Sequence, residues 1–471
     1  MGAIPGLNGP MAIAIAVPLT YTLTPLAAIS FLVGIMKGST VGGAIPSILL
    51  NTPGTPDAVV TALDGYPLAR KGKPLKALKM ALYSSITGDT LSDIVLFTVA
   101  APLALVALKM GPVEMTAVML LAFAVITGMI GDSMIKGVIA VFLGILFSAV
   151  GLDPENATPR LTFDSIELFD GLEITAVAIG ILAVGQVLTA LEELRGGYQS
   201  SVVPGFSGAK ADRRISWAEY KECLPTMLRG GVIGTLIGAL PGIGSSAAAV
   251  MSYTAAKRGA KPGEKFGEGE LKGIAAAEAA NSSVSGANLI PLLALGIPGN
   301  VGAAMLVGAF IIQGITPGPL MFSEQGQLIY GLFGAMVMAN ICNFFAGNLG
   351  LRVFAYVTRI PPTIVMPVVM LLCLSGVYLS TNSLFTVGLM VGFGVLGYVL
   401  RKTGYPFLPL IIGFILGPMF EFSLTQTLVL ANGEIEYFLG KPIAIGLAVC
   451  ALIVVWRLGF SNRKVADHLK D

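Results

Sequence analysis

The sequence predicts an all-α membrane protein with about ten to twelve spans, built from two copies of one unit. The 471-residue chain is 55% hydrophobic and only 12% charged, whereas soluble domains carry about 25% charged residues. Its mean hydropathy is +0.82. Pairs of Pro-Gly interruptions recur along the chain: Gly2-Ala-Ile-Pro5-Gly6 returns as Gly238-Ala-Leu-Pro241-Gly242, and Pro46-x6-Pro53-Gly54 returns as Pro291-x6-Pro298-Gly299.

Long apolar stretches supply the expected spans, because a helix needs about 20 apolar residues to cross the hydrocarbon core. Clear examples lie at 173–190, 363–379, 384–400 and 443–456. The four cysteines are scattered without a CxxC pair, so neither a disulfide framework nor a metal site is indicated. The net charge of +2 says little about partners and gives no sign of nucleic-acid binding.

The distribution of basic residues predicts the orientation of the chain, since cytoplasmic loops carry an excess of lysine and arginine. Basic clusters occupy 70–79, 195–221, 257–272, 401–402 and 457–464. The connections at 153–170, 316–327 and 421–436 are acidic or nearly neutral, and we place them outside.

Equivalent loops of the two copies carry different charge, which predicts an inverted duplication. The loop after the first interruption is uncharged in the first copy and basic in the second, at 257–272. The loop after the second interruption is basic in the first copy, at 70–79, and nearly neutral in the second. An inverted pair would bring all four interruptions, as broken or re-entrant helices, to the centre of the bilayer. The alternative is two unrelated Gly/Pro-rich stretches.

These patterns define a first inverted repeat at 1–193, a cytoplasmic linker at 194–216, a second inverted repeat at 217–463 and a cytoplasmic tail at 464–471. The second copy is preceded by a helical lead-in at 225–239, and the first copy is not. We therefore expect that the first repeat lacks a natural N-terminal helix. A real asymmetry between the halves is the alternative.

The interruptions predict an anion site, because a helix that restarts presents unpaired N–H groups and the positive end of its dipole. Small or polar residues surround each restart, and hydroxyl and amide groups suit a carboxylate. The predicted substrate-binding residues are Lys37, Ser39, Thr40, Asn51, Thr52, Pro53, Gly54, Thr55, Gly6, Asn8, Gly242, Gly244, Ser245, Ser246, Asn281, Ser282, Ser283, Pro298, Gly299 and Asn300. Lys37 is the candidate counter-charge. The alternative is that each hydroxyl bonds its own helix backbone.

A coupling cation is expected, and sodium is the first choice. Its predicted ligands are the side chains of Ser39, Asn51, Asn281 and Ser285 with carbonyls at 51–53 and 296–298. Protons are the alternative, carried by Glu278 or Asp89, since ionisable residues inside a membrane are costly and often functional. The alternative for Asp89, Asp93 and Asp132 is a position near the membrane interface, in contact with water. Apart from the cation, no cofactor is expected.

Several motifs resemble the large membrane subunit of the tripartite tricarboxylate transporters. They are the Gly-Ala-Ile-Pro-Gly at 2–6, the segment at 38–56, Asp64-Gly-Tyr-Pro-Leu-Ala, the Ala-Ala-Glu-Ala-Ala-Asn-Ser at 276–282, and Leu295-Gly-Ile-Pro-Gly. The resemblance implies a secondary transporter of the bacterial inner membrane. It further implies a small membrane subunit of about four helices, a periplasmic solute-binding protein, and di- or tricarboxylate substrates.

Other function classes fit less well. The only histidine is His468, so a His-Glu-x-x-His metalloprotease is excluded. The string Gly128-Met-Ile-Gly-Asp132 misses the Gly-x-Gly-Asp pattern of an intramembrane aspartyl protease by one residue. A channel usually relies on cyclic symmetry of subunits rather than one duplication. A stand-alone ion-coupled carrier of organic anions, without a binding protein, remains the alternative function.

Overall fold

The structure is a computed structural model that describes residues 2–3, 8–52, 55–129, 133–153, 156–195, 214–242, 244–357, 362–432, 434, 437 and 440–468. The described chain is almost entirely helical, which confirms the predicted all-α class. Its one sheet is a short antiparallel pair, β1 Gly151–Leu152 with β2 Pro159–Arg160. The predicted linker lies largely outside the described residues, as do Pro5, Gly6, Pro53, Gly54 and Asp132.

The helices of the first half start with a short one and include the longest of the described chain. Their bounds are α1 Gly9–Ala16, α2 Pro25–Leu50, α3 Val59–Arg70, α4 Pro74–Ala107, α5 Pro112–Met129, α6 Met134–Ser148, α7 Ile174–Ile179 and α8 Gly185–Arg195. A π-helical segment, Gly180–Val184, joins α7 to α8, and a 3-10 turn, Pro56–Ala58, leads into α3.

The second half repeats this mixture of long and short helices. The bounds are α9 Trp217–Gly238, α10 Gly244–Arg258, α11 Leu271–Ala287, α12 Leu289–Leu295, α13 Val301–Ile312, α14 Met321–Glu324, α15 Gly326–Val357, α16 Pro362–Thr381, α17 Leu384–Lys402, α18 Phe407–Ala431 and α19 Pro442–His468. Proline opens α2, α4, α5, α16 and α19. It suits this position because its fixed φ is helical and the first N–H of a helix has no partner anyway.

Seven of the described helices are long and apolar enough to cross a membrane: 25–50, 74–107, 174–192, 326–351, 363–381, 384–402 and 407–431. Five shorter apolar helices accompany them, at 9–20, 112–127, 134–148, 301–312 and 442–456. Many large apolar side chains on these helices are exposed, as expected for surfaces that face lipid. The chain is a multi-pass membrane protein.

The two halves interlock through their long helices. Helix α4 of the first half packs along α11 of the second, and α15 of the second half packs along α2 of the first. Small residues allow the close approach: a side chain added at Gly88 on α4 would collide with the backbone of Ala279 on α11. Helix α11 is almost completely buried between these partners.

Equivalent positions of the two copies have similar local structure. Helix α2 ends at Asn51 in the left-handed region (φ 55°), and α12 ends at Gly296 in the same region (φ 75°). Each residue stands two positions before a Pro-Gly pair. Gly2 packs against Ser39, and its counterpart Gly238 packs against Val284, the counterpart of Ser39. These similarities support the duplication, and its inverted topology stays a prediction.

Candidate functional site

A cavity of about 440 Å³ opens where the interrupted helices meet. Residues that follow each of the four interruptions line it: Asn8 and Thr55 from the first half, and Gly244 and Asn300 from the second. Four segments that are far apart in sequence thus share one site.

The cavity contains eleven of the predicted binding or coupling residues. They are Asn8, Ser39, Thr40, Thr55, Gly242, Gly244, Ser245, Ser246, Ser285, Gly299 and Asn300. Apolar residues complete the wall, including Met36 of α2, Leu182, and Phe407 and Leu408 of α18. The cavity therefore combines polar residues that follow the interruptions with apolar residues of the surrounding helices.

Four helical segments begin at the cavity wall. The Asn8 side chain caps α1 by accepting a hydrogen bond from Met11 N at 3.0 Å, and Asn300 caps α13 by accepting from Ala303 N at 2.8 Å. Helix α10 begins at Gly244, and Thr55 precedes the turn that leads into α3. Partial positive charge from these helix ends favours an anion in the cavity.

Two glycines allow the backbone itself to form part of the wall. Gly242 has φ +91°, and a Cβ there would lie 2.7 Å from Ile126 Cα. Its N–H donates to the carbonyl of Gly299 at 2.8 Å, which joins the two interruptions of the second half. Gly244 has φ +77°, and a Cβ built at this position would have no neighbouring heavy atom within 4 Å. A side chain at Gly244 would strain the backbone, since L-residues rarely adopt this conformation.

The two copies meet directly at the cavity wall. Thr40 and Ser285 both stand six residues before the first proline of their second motif, at Pro46 and Pro291. Their hydroxyl oxygens are 3.2 Å apart, within hydrogen-bond distance. Equivalent residues that touch each other lie close to a local two-fold axis. This contact supports a site shared between two related halves.

Asp57 is a cavity residue that sequence reasoning missed. Of the described residues that line the cavity, only Asp57 has an ionisable side chain. Its carboxylate accepts a hydrogen bond from the Ser246 hydroxyl at 2.7 Å, which links the two halves. An acid in the first turn of a helix is common as a complement to the dipole. Its position three residues after the Pro53-Gly54 interruption is the sequence signal that could have identified it as a cavity residue.

The structure places Lys37 away from the cavity, in a buried cluster of charges. Its ammonium group donates to Asp89 Oδ2 at 2.8 Å, to both Asp93 oxygens at 2.8 and 2.9 Å, and to Asn340 Oδ1 at 3.2 Å. Met36 and Ser39, its neighbours on α2, line the cavity instead. A buried ammonium group requires a close counter-charge, and two carboxylates already provide it. Asp89 and Asp93 are therefore buried rather than wet.

The remaining predicted residues lie behind the cavity or beyond it. Asn281, Ser282, Ser283 and Pro298 are buried without lining it, and Asn51 and Thr52 are exposed at the end of α2. Of the four predicted side-chain ligands for sodium, only Ser39 and Ser285 line the cavity. The hydroxyl groups of Ser39, Thr40 and Ser283 donate hydrogen bonds to carbonyls of their own helices. This is the alternative to ligand binding that the sequence left open.

One family model and two uncharacterised relatives are similar to this chain. The model of the family described as "Tripartite tricarboxylate transporter TctA family" matches residues 1–412. An uncharacterised 52.8 kDa protein of Agrobacterium vitis, from the TAR-I ttuC' 3' region, is 32% identical over 97% of this chain and 89% of its own length. A second A. vitis protein, from the TAR-II ttuC' 3' region, is 35% identical over 47% of this chain and 92% of its own length. No solved structure matches the chain.

Proposed function

Because the chain belongs to the tripartite tricarboxylate transporter TctA family, we propose that it is the large membrane subunit of a secondary transporter that imports di- and tricarboxylates. The observation that carries this proposal is the cavity lined by residues that follow all four interruptions. Corresponding interruptions in two halves are typical of the binding site of a secondary transporter.

The chemistry of the cavity supports a carboxylate substrate bound without a basic side chain. Helix N-termini and hydroxyl groups, such as those of Ser245 and Thr55, provide the donors. Carboxylate oxygens accept such hydrogen bonds well, and the bonds are stronger than neutral ones because the acceptor is ionised. Binding by fixed dipoles also leaves the site able to release the anion, since no buried ion pair must be broken.

Import of an anion requires coupling to a cation. A negative interior opposes each inward negative charge by about 2.3 kcal/mol per 100 mV. Co-transported sodium ions or protons would offset this cost. The separation of Asn51 and Asn281 from the cavity wall gives little support to the sodium site predicted from the sequence.

Membership of a tripartite family implies partner subunits and a binding protein. We propose that these are a small membrane subunit of about four helices and a periplasmic solute-binding protein, and that the complex lies in the bacterial inner membrane. A stand-alone carrier is the alternative. It would transport the substrate at full rate without either partner.

The proposal is tested by transport into liposomes that contain the chain and its small membrane subunit, with the binding protein supplied outside. Labelled citrate and succinate serve as probes. We expect saturable uptake that depends on a cation gradient and on the binding protein. Gly244→Val should abolish uptake, because its side chain would enter the cavity, whereas the matched change Gly314→Val, where φ is +73° and a Cβ also meets no neighbour, should not. Absence of uptake of every carboxylate by the complete wild-type system would refute the proposed function.

A further inference from the structure

A line of polar side chains leads from the cavity to a carboxyl group deep between the helices. It starts at Asp57, at the cavity wall. Thr61 follows four residues later, in the first turn of α3, and is buried. The Thr61 hydroxyl donates to Glu278 Oε1 on α11, and the Ser85 hydroxyl on α4 donates to Glu278 Oε2 at 2.9 Å. These hydrogen bonds connect α3 and α4 to α11 through the Glu278 side chain.

Glu278 has no cationic partner among the residues that the structure describes. Its side chain is completely buried, and both of its hydrogen-bond donors are neutral hydroxyl groups. None of the ion pairs found in the described part of the chain includes it. An ionised carboxylate in this position is costly inside a membrane, and a proton removes the cost by making the group neutral.

The surroundings of Glu278 suit a proton better than a metal cation. Thr61 and Ser85 already occupy both carboxyl oxygens at hydrogen-bond distance. Ala277, the residue before Glu278, belongs to an apolar cluster with Val60 and Ala249, and the next polar groups along α11 are Asn281 and Ser282, three and four residues away. Sodium would need several further oxygens, whereas a proton needs only one carboxyl oxygen.

Of the charged groups on the helices that pack around α11, the buried ones are mainly acidic, whereas the other basic residues are exposed or half-buried: Arg70, Lys76, Lys79, Lys221, Arg229, Lys257 and Arg258. The turn before α3 contributes Asp57, and α3 contributes Asp64. Helix α4 contributes Asp89, one turn beyond Ser85, and Asp93, one turn further. Helix α2 contributes Lys37, which pairs with both.

Helices α9 and α10 face this level of α11 with small uncharged residues: Gly230 lies against Ala276 and Ala279, and Ser252 bonds the Ala276 carbonyl. Tyr253 of α10 is directed to Asp64. The negative charge of the nearby Asp57 favours a bound proton on Glu278.

We propose that Glu278 binds the proton whose entry drives substrate uptake, and that Asp57 and Thr61 form its route from the cavity. This inference rests on the proposed function. A proton that enters with the substrate converts the Glu278 carboxylate to a neutral carboxyl group. It leaves to the cytoplasm after the substrate has been released there, which restores the carboxylate. Glu278 is thus a coupling residue and does not contact the substrate.

Glu278→Gln tests this assignment because glutamine imitates the protonated state. In liposomes that contain the complete system, accumulation driven by an inward pH gradient should fall at least about tenfold, since the variant cannot release a proton. Exchange of external labelled for internal unlabelled citrate should continue at near the wild-type rate, because exchange needs no net proton movement. The matched change Glu324→Gln, at an exposed site on α14, should leave both activities unchanged.

Thr61→Val provides a second test that does not depend on replacing the carboxyl group. Loss of the Thr61 hydroxyl removes a hydrogen bond that stabilises the ionised form of Glu278. The pH at which uptake is half-maximal should therefore move upward. A downward shift or no shift would count against the proposal.

Two results overturn the inference while leaving the proposed function intact. One is accumulation by Glu278→Gln at the wild-type level under the pH gradient. The other is wild-type accumulation that follows a sodium gradient at constant pH and ignores the pH gradient. A wild-type system that transports no carboxylate at all would instead refute the proposed function.

Discussion

Lys37 shows how the role of one residue depends on neighbours that are distant in sequence. Its position among apolar residues marked it as a counter-charge for the substrate, and the structure pairs it with Asp89 and Asp93 instead. Asp89 Oδ1 has no hydrogen-bond partner in the described structure, so one lysine compensates two buried acids incompletely. Each group therefore depends on the others.

We expect Lys37→Met to destabilise the protein by about 3–5 kcal/mol, because it leaves two buried carboxylates without a cation. Thermal unfolding in detergent should show a lower midpoint. The double variant Lys37→Met/Asp93→Asn should recover part of the loss. Lys265→Met, in an exposed loop, is the control. A Lys37→Met variant as stable as wild type would show that the cluster does not hold its charges together.

At the scale of elements, Asp64 fastens α3 to the loop between α10 and α11. One carboxylate oxygen accepts hydrogen bonds from the backbone N–H groups of Gly267, Gly269 and Glu270 at 2.8 to 2.9 Å. The other accepts from the Tyr253 hydroxyl at 2.8 Å. Because α3 follows the turn that contains Asp57, this clamp helps to position one wall of the cavity. In the sequence, the motif that begins at Asp64 was noted only for its resemblance to a transporter family, and no structural role was predicted for it.

Asp64→Ala should release the loop, since it removes four hydrogen bonds to a carboxylate, and a hydrogen bond to a charged group contributes about 1.5–3 kcal/mol. Hydrogen exchange should become faster at the amides of 267–270. Tyr253→Phe removes only one of the four bonds and should have a smaller effect. Asp170→Asn, on an exposed loop, should have none. Unchanged exchange in Asp64→Ala would refute the clamp.

At the scale of the whole molecule, two related halves provide one site. Composition was enough to predict an all-α membrane protein, and the repeated Pro-Gly pairs were enough to predict which segments contribute to the cavity. The finer assignments stay predictions: Asn51, a predicted ligand, ends α2 in the left-handed conformation and does not line the cavity. Whether a side chain faces the cavity or a neighbouring helix depends on helix rotation and packing, which spacing alone does not determine.

The inverted topology predicts the side of the membrane on which each loop lies. We expect a cysteine at Phe163 to react with an impermeant thiol reagent added outside intact cells, and one at Lys265 to react only after the membrane is opened. Both positions are highly exposed. The exposed native residues Cys342 and Cys450 are first replaced by serine. The opposite pattern of labelling would refute the predicted orientation.

The central claim, that the four interruptions form the carboxylate site, is tested most directly by substrate protection of a cysteine placed at Ser245. This position lines the cavity at the start of α10. In a variant with Cys342 and Cys450 replaced by serine, citrate or another transported carboxylate should slow the reaction of that cysteine with a small thiol reagent. A cysteine at Phe163 should react at the same rate with or without substrate. If saturating substrate leaves the rate at position 245 unchanged in a variant that still transports it, the carboxylate binds elsewhere and the claim is wrong.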